Sequence, residues 1–139
     1  MRVVLVSCVA KKADYPAPAA ELYQSAWFKK ARAYAKQFGA GWYILSARHN
    51  LVSPTTVLAP YNQTLNGLSA DSRREWAVET FRQIREQIPV CELIILAGTK
   101  YREYLVPALE AAGYEVIVPM AHLGIGQQMQ WLDKELAGA

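Results

Sequence analysis

Arg2-Val3-Val4-Leu5-Val6-Ser7-Cys8-Val9-Ala10-Lys11-Lys12 is the stretch that decides the fold. Val3 to Val6 is an unbroken β-branched and aliphatic run, the mark of a strand covered on both faces. The run ends abruptly in a hydroxyl, a thiol and two ammonium groups. A buried strand therefore delivers reactive side chains to one edge of a sheet, and the rest of the chain must supply a layer for each of its faces.

Working outward, residues 9 to 24 read as a polar, Pro- and Ala-rich loop with Pro16 and Pro18. Ser25 reads as an N-cap. Behind it Trp27, Phe28, Ala31, Tyr34, Ala35 and Phe38 recur at helical spacing until Gly39 stops the helix. Gly41 to Ser46 is a second strand. The irregular segment from Ala47 to Leu68 is longer than the loops usual in compact domains. Its Leu51, Val52, Leu58, Tyr61 and Leu65 predict that it packs, and Asn50 is suited to a left-handed turn. Ser69 caps a further helix, with Ala77, Phe81, Ile84 and Ile88 along one side. Glu92 to Ala97 is a third strand. Gly98-Thr99 opens a helix running to about Ala112, ended by Gly113, in which Pro107 introduces a kink. Tyr114 to Pro119 is a fourth strand. Gly124-Ile125-Gly126 turns into a last helix carrying Met129, Leu132 and Leu136 on one face.

Short apolar strands alternating with amphipathic helices predict one α/β domain over residues 1–139. The expected form is a three-layer α/β/α, Rossmann-like sandwich with a mostly parallel sheet of about four strands. Composition agrees with a globular chain: 53% of its 139 residues are hydrophobic and 19% charged, which excludes a disordered one. The net charge of +3 permits an anionic ligand without demanding nucleic acid. No apolar run is long enough to span a bilayer, so no membrane association is expected. The chain enters its first strand without a signal-peptide pattern, and its two cysteines do not make a disulfide framework, so a cytoplasmic address is expected.

In a parallel sheet all C-terminal strand ends lie on one edge, where ligands of open α/β sheets bind. That edge collects Ser7, Cys8, Lys11 and Lys12 after the first strand, and Ser46, Arg48 and His49 after the second. Gly98 and Thr99 follow the third strand, and His122, Gly124 and Gly126 the fourth. A thiolate near two ammonium groups has a depressed pKa and is nucleophilic. A lysine over such an edge can clamp phosphate or stabilise a leaving group. A histidine titrates usefully near neutrality. Gly98-Thr99 before a helix can seat an anion, and Tyr61 and Tyr101 can stack on a base or simply belong to the core.

Two cysteines and two histidines are the right number for zinc. However, Cys8 ends a strand and Cys91 precedes one, about 20 Å apart across a strand of that length. No metal is expected. There is no P-loop, GxGxxG fingerprint, GxSxG elbow or HExxH, and no cofactor is implied.

Ser7-Cys8-x3-Lys12, Ala20-x-Leu22-Tyr23-x-Ser25-x2-Phe28, Trp42-x-Ile44-Leu45-Ser46-Ala47-x2-Asn50-Leu51-Val52 and Pro60-Tyr61-Asn62-x-Thr64-Leu65 together resemble a small bacterial and phage domain family of unknown function. The similarity runs to the closing Gly124-Ile125-Gly126-Gln127-x3-Trp131-Leu132. Ser7, Ser25 and Ser46 are expected to orient substrate, and Tyr23 and Asn62 are further candidate binding residues. A weaker resemblance links Cys8-x3-Lys12 to the core domain of archaeosine synthase, which carries a Cys-x3-Lys element followed by Ser-x2-His. Here Ser25-x2-Phe28 stands in the second place, with Phe28 for the histidine. This implies a nucleobase- or nucleotide-related pocket.

The favoured reading is an enzyme acting on a nucleobase, nucleoside or nucleotide, by group transfer or glycosidic-bond chemistry. Cys8 and Lys12 would be its reactive pair and His49 its acid or base. A second reading is a non-catalytic nucleotide- or nucleic-acid-binding module using the basic helix residues Lys29, Lys30, Arg32 and Lys36. A third is a subunit of a larger assembly. The sequence leaves the oligomeric state open.

Overall fold

The computed structural model describes residues 1–7 and 12–138. The opening run forms β1 (Arg2–Ser7), and Val3, Val4, Leu5 and Val6 are all buried, as a strand between two layers must be. The segment after it, expected to be loop, contains a two-residue strand β2 (Ala17–Pro18) and one turn of helix α1 (Ala19–Leu22). Then α2 (Ala26–Phe38) begins at Ser25, whose side-chain oxygen accepts the Phe28 N–H at 3.1 Å. Such a cap satisfies one of the four N–H groups that a helix start leaves open.

β3 (Gly41–Ser46) pairs parallel to β1. A tight reversal over residues 47–49 returns the chain as β4 (Asn50–Val52), antiparallel to β3. Asn50 has φ 63°, the left-handed conformation that Asn tolerates better than most residues. The sheet therefore has five strands, one more than the sequence predicts. β5 (Val57–Leu58) leaves this sheet and pairs antiparallel with β2, and a 3-10 turn spans Leu65–Gly67. Leu51, Val52, Leu58, Tyr61 and Leu65 are all buried, so the long segment packs as its composition predicts.

The chain continues through α3 (Ala70–Gln87), β6 (Glu92–Leu96), α4 (Thr99–Arg102), α5 (Leu105–Ala111), β7 (Glu115–Ile117) and α6 (Ile125–Ala137). The single helix expected over 99–112 is two helices, and Pro107 is the reason. Its ring would clash with the carbonyl of Glu103, and it has no N–H to donate there. In the first turn of a new helix that missing donor costs nothing, and there Pro107 sits.

Strand order is β4-β3-β1-β6-β7, parallel except for β4. Alternate residues of each strand feed opposite cores. Val4, Val6, Ile44, Ile94 and Leu96 pack with α2 and the Leu132 face of α6. Val3, Leu5, Leu45, Leu93 and Ile95 pack with α3 and α5. The result is a three-layer α/β/α sandwich. Among the described residues no helix is long and apolar enough to cross a membrane.

Candidate functional site

β1 lies in the interior of the sheet, with β3 on one side and β6 on the other. The connection through α2 leads from β1 to β3, and the one through α3 crosses back to β6. Connections that diverge in this way open a crevice outside the strands' carboxyl ends. A cleft of about 550 Å³ lies there. Ser7 comes from the end of β1 and Lys12 from the chain just beyond it. Trp27 and Gln128 come from the first turns of α2 and α6. The opposing wall is made by residues 63–66 and by Gly98 to Tyr101.

Lys12 is fixed at both backbone and side chain. It forms an antiparallel bridge with Tyr23, and the neighbouring Ala13 N–H donates to the Leu22 carbonyl at 2.7 Å. Its Nζ stands 4.5 Å from the centroid of the Tyr61 ring and 5.7 Å from that of Tyr23. An ammonium over an aromatic face is attracted by the ring quadrupole.

Beneath the lysine runs a row of hydroxyls. Tyr23 and Tyr61 share a hydrogen bond at 2.5 Å, Tyr61 and Ser46 another at 2.7 Å, and Ser46 Oγ accepts the His49 N–H at 3.0 Å. The His49 ring meets Tyr61 edge-on, 5.2 Å between centroids. Burial lowers the His49 pKa below its ordinary value, and the neighbouring Arg48 charge adds to this. Both effects favour the neutral imidazole. His49 is not among the cleft-lining residues, and Tyr61 stands between it and Lys12, touching both.

The sequence-derived residues divide accordingly. Ser7, Lys12, Gly98, Thr99 and Tyr101 line the cleft. Tyr23, Ser46 and Tyr61 are buried and support Lys12 from behind. Ser25 is occupied as a helix cap. Arg48 and Asn62 are exposed and lie outside the cleft lining, as do His122, Gly124 and Gly126. Both histidines follow strands on this edge, but β3 and β7 are three strand spacings apart, about 14 Å. They do not form one constellation. Cys8 and Lys11 lie outside the described residues. Gly98 and Gly126 have open space where a Cβ would stand, so no packing constraint requires glycine at either position.

Sequence reasoning missed Trp27, Gln63, Asn66, Lys100 and Gln128 as cleft residues. Helical spacing groups Trp27 with the apolar side of its helix, and it is 8% exposed. Its position in the first turn of a helix beginning at the ligand edge was the usable signal. Its indole N–H donates to Gln128 Oε1 at 2.9 Å, and Gln128 Nε2 donates to the Leu123 carbonyl at 2.8 Å, so the ring is braced. The basic face of α2 is partly occupied: Lys30 pairs with Asp133 of α6 at 2.5 Å, and Arg32 donates to the Ala20 carbonyl at 2.7 Å. Lys29 and Lys36 remain exposed.

Among the described residues no three His, Cys, Asp or Glu groups cluster to hold a metal. Cys91 sits at the opposite sheet edge, where burial pushes its thiol pKa up.

Comparison with known proteins gives one curated relative of similar length, the uncharacterized protein YfjM of Bacillus subtilis (strain 168). It is 29% identical over 147 aligned positions, covering 96% of this chain and 93% of that protein. No solved structure matches. The model of a family of unknown function, DUF6884, matches residues 3–134, from β1 into α6, and the chain belongs to that family.

Proposed function

We propose that the chain is a cytoplasmic enzyme acting on a nucleobase, nucleoside or nucleotide, by group transfer or glycosidic-bond chemistry, in the cleft at the carboxyl edge of the sheet. One observation carries this reading: a lysine ammonium held against Tyr61 borders a cleft that also offers aromatic surface and side-chain amides. The volume of about 550 Å³ suits a small-molecule site. Flat heterocycles stack on aromatic rings and pair their edges with amides. Trp27 and Tyr101 supply the first. Gln63, whose amide nitrogen donates to the Ala47 carbonyl, and Asn66 supply the second.

In this reading Lys12 meets the negative charge that develops on the departing group, a role that a fixed cation fills without reorganisation. Cys8 is its thiol partner, as the sequence motif suggests. His49 is a positioning residue: through Ser46 and Tyr61 it helps hold the surface on which Lys12 rests. The low cysteine usage supports the cytoplasmic address.

A thermal-shift screen of nucleobases, deazapurines, nucleosides and nucleotides tests the proposal. Wild type should be stabilised by at least one of them, and Lys12→Ala, with its unliganded melting temperature little changed, should lose that response. Absence of any shift in wild type would overturn the reading.

A further inference from the structure

We infer that the ligand of this cleft carries phosphate: a nucleoside monophosphate, with its charge met by Lys12 and Lys100. The inference rests on the functional reading above and narrows it.

The supporting observation is a charge imbalance. Lys12 and Lys100 both line the cleft, and none of the chain's 12 Asp and Glu residues does. Among the described residues neither lysine has a carboxylate partner. Two other concavities are different. At the opposite sheet edge Arg2 is paired with Glu92, and Glu115 stands beside them. Along α3, Arg74 and Arg82 are matched by Asp71, Glu75 and Glu79, and both arginines are ion-paired.

Two ammonium groups and no carboxylate leave this concave site with a net positive charge, which a polyanion neutralises. A phosphate monoester carries about 1.5 to 2 negative charges near neutrality, which matches two lysines. A free base or nucleoside would leave both cations unanswered. The lysines come from different elements, the segment after β1 and helix α4, and both line the cleft. The aromatic and amide walls take the remainder of the molecule.

Isothermal titration calorimetry on the full chain at low salt tests this. The probes are AMP, GMP, CMP and UMP, their four nucleosides, inorganic phosphate, pyrophosphate and a 5′-phosphorylated trinucleotide. At least one monophosphate should bind about tenfold or more tightly than its nucleoside, and this advantage should shrink as salt is added. Lys100→Gln should cut the ratio of monophosphate to nucleoside affinity severalfold, and Lys100→Arg should retain it. Circular dichroism checks that both variants fold.

Equal affinity for nucleoside and monophosphate would overturn the phosphate inference and leave the nucleobase reading standing. Inorganic phosphate or pyrophosphate binding as tightly as every monophosphate, with no nucleoside bound, would overturn both. Binding of the trinucleotide alone would overturn the mononucleotide assignment in favour of a nucleic-acid end. An undiminished advantage in Lys100→Gln would remove Lys100 from the site. Silence from every probe would overturn both readings.

Discussion

The two edges of the central sheet are built from the same strands and differ in almost everything else. The amino edge has the larger concavity, about 840 Å³ against 550 Å³. Its Arg2 is paired with Glu92, and its loops are the tight returns that bring helices back to strands. The carboxyl edge is smaller in volume, collects side chains from six separate segments, and leaves two lysines without acids. Volume and unpaired charge thus point to opposite edges, and the proposed site follows strand polarity and charge rather than volume.

The sharpest way to break this contrast is to remove one cation from each edge. Lys12→Ala should abolish ligand-induced stabilisation completely, and Arg2→Ala should leave it intact; equal responses in the two variants would erase the distinction. Glycine gives the next largest effect. At Gly39 a Cβ would stand 2.7 Å from the Gly41 carbonyl and 3.1 Å from a Val4 methyl, so Gly39→Ala should cost about 1–3 kcal/mol in urea denaturation. The same substitution at Gly98 on the carboxyl edge meets open space and should change stability by less than about 0.5 kcal/mol. A loss of ligand binding in the stable Gly98→Ala variant would show that ligand occupies that space.

Ser46→Ala tests the support beneath Lys12. It withdraws the acceptor from the His49 N–H and a partner from the Tyr61 hydroxyl, at a cost of about 1–3 kcal/mol by the same denaturation measurement. The smallest effect is the pH dependence of His49. Its folded pKa lies below the ordinary 6.5, first through burial and then through Arg48. Above about 6.5 the folded and unfolded chains both hold it neutral, and below that the unfolded chain takes the proton first. Stability is therefore present above the ordinary value and lost as pH falls through the folded one. Between about pH 7.5 and 5.5 the urea midpoint of His49→Gln should fall less than that of wild type. A parallel fall would remove His49 as the titrating group.

Much of the fold was legible because its signals are local. The Val3–Val6 run, the caps Ser25 and Ser69, and the stop at Gly113, which has φ +100°, each follow from what one residue can adopt or satisfy. What escaped the sequence depends on pairing across space. β4 has three residues, too few for alternation to register, and its best signal was the left-handed Asn50, which marks a return without saying what pairs with what. The same limit applied to the cleft. Ser7 and Lys12 were legible as the polar end of a buried strand, whereas Lys100, Gln63 and Gln128 become site residues only once β6, the long loop and α6 are brought to one edge. His122 illustrates the converse: it follows the right kind of strand at the wrong end of the sheet.

The row formed by Tyr23, Tyr61 and Ser46 has a consequence that follows from counting hydrogens. Three hydroxyls own three hydrogens, and the two bonds among them use only two. The third is left for a partner outside the row: Ser46 holds it if the bonds run toward Ser46, Tyr23 if they run the other way, and Tyr61 if both neighbours donate to it. Two of these arrangements have opposite polarity, and hydroxyl rotation alone interconverts them, with no movement of the backbone. One polarity turns the Tyr61 hydrogen toward Ser46 and the other toward Tyr23, so the dipole beside Lys12 can reverse inside a wall that stays still.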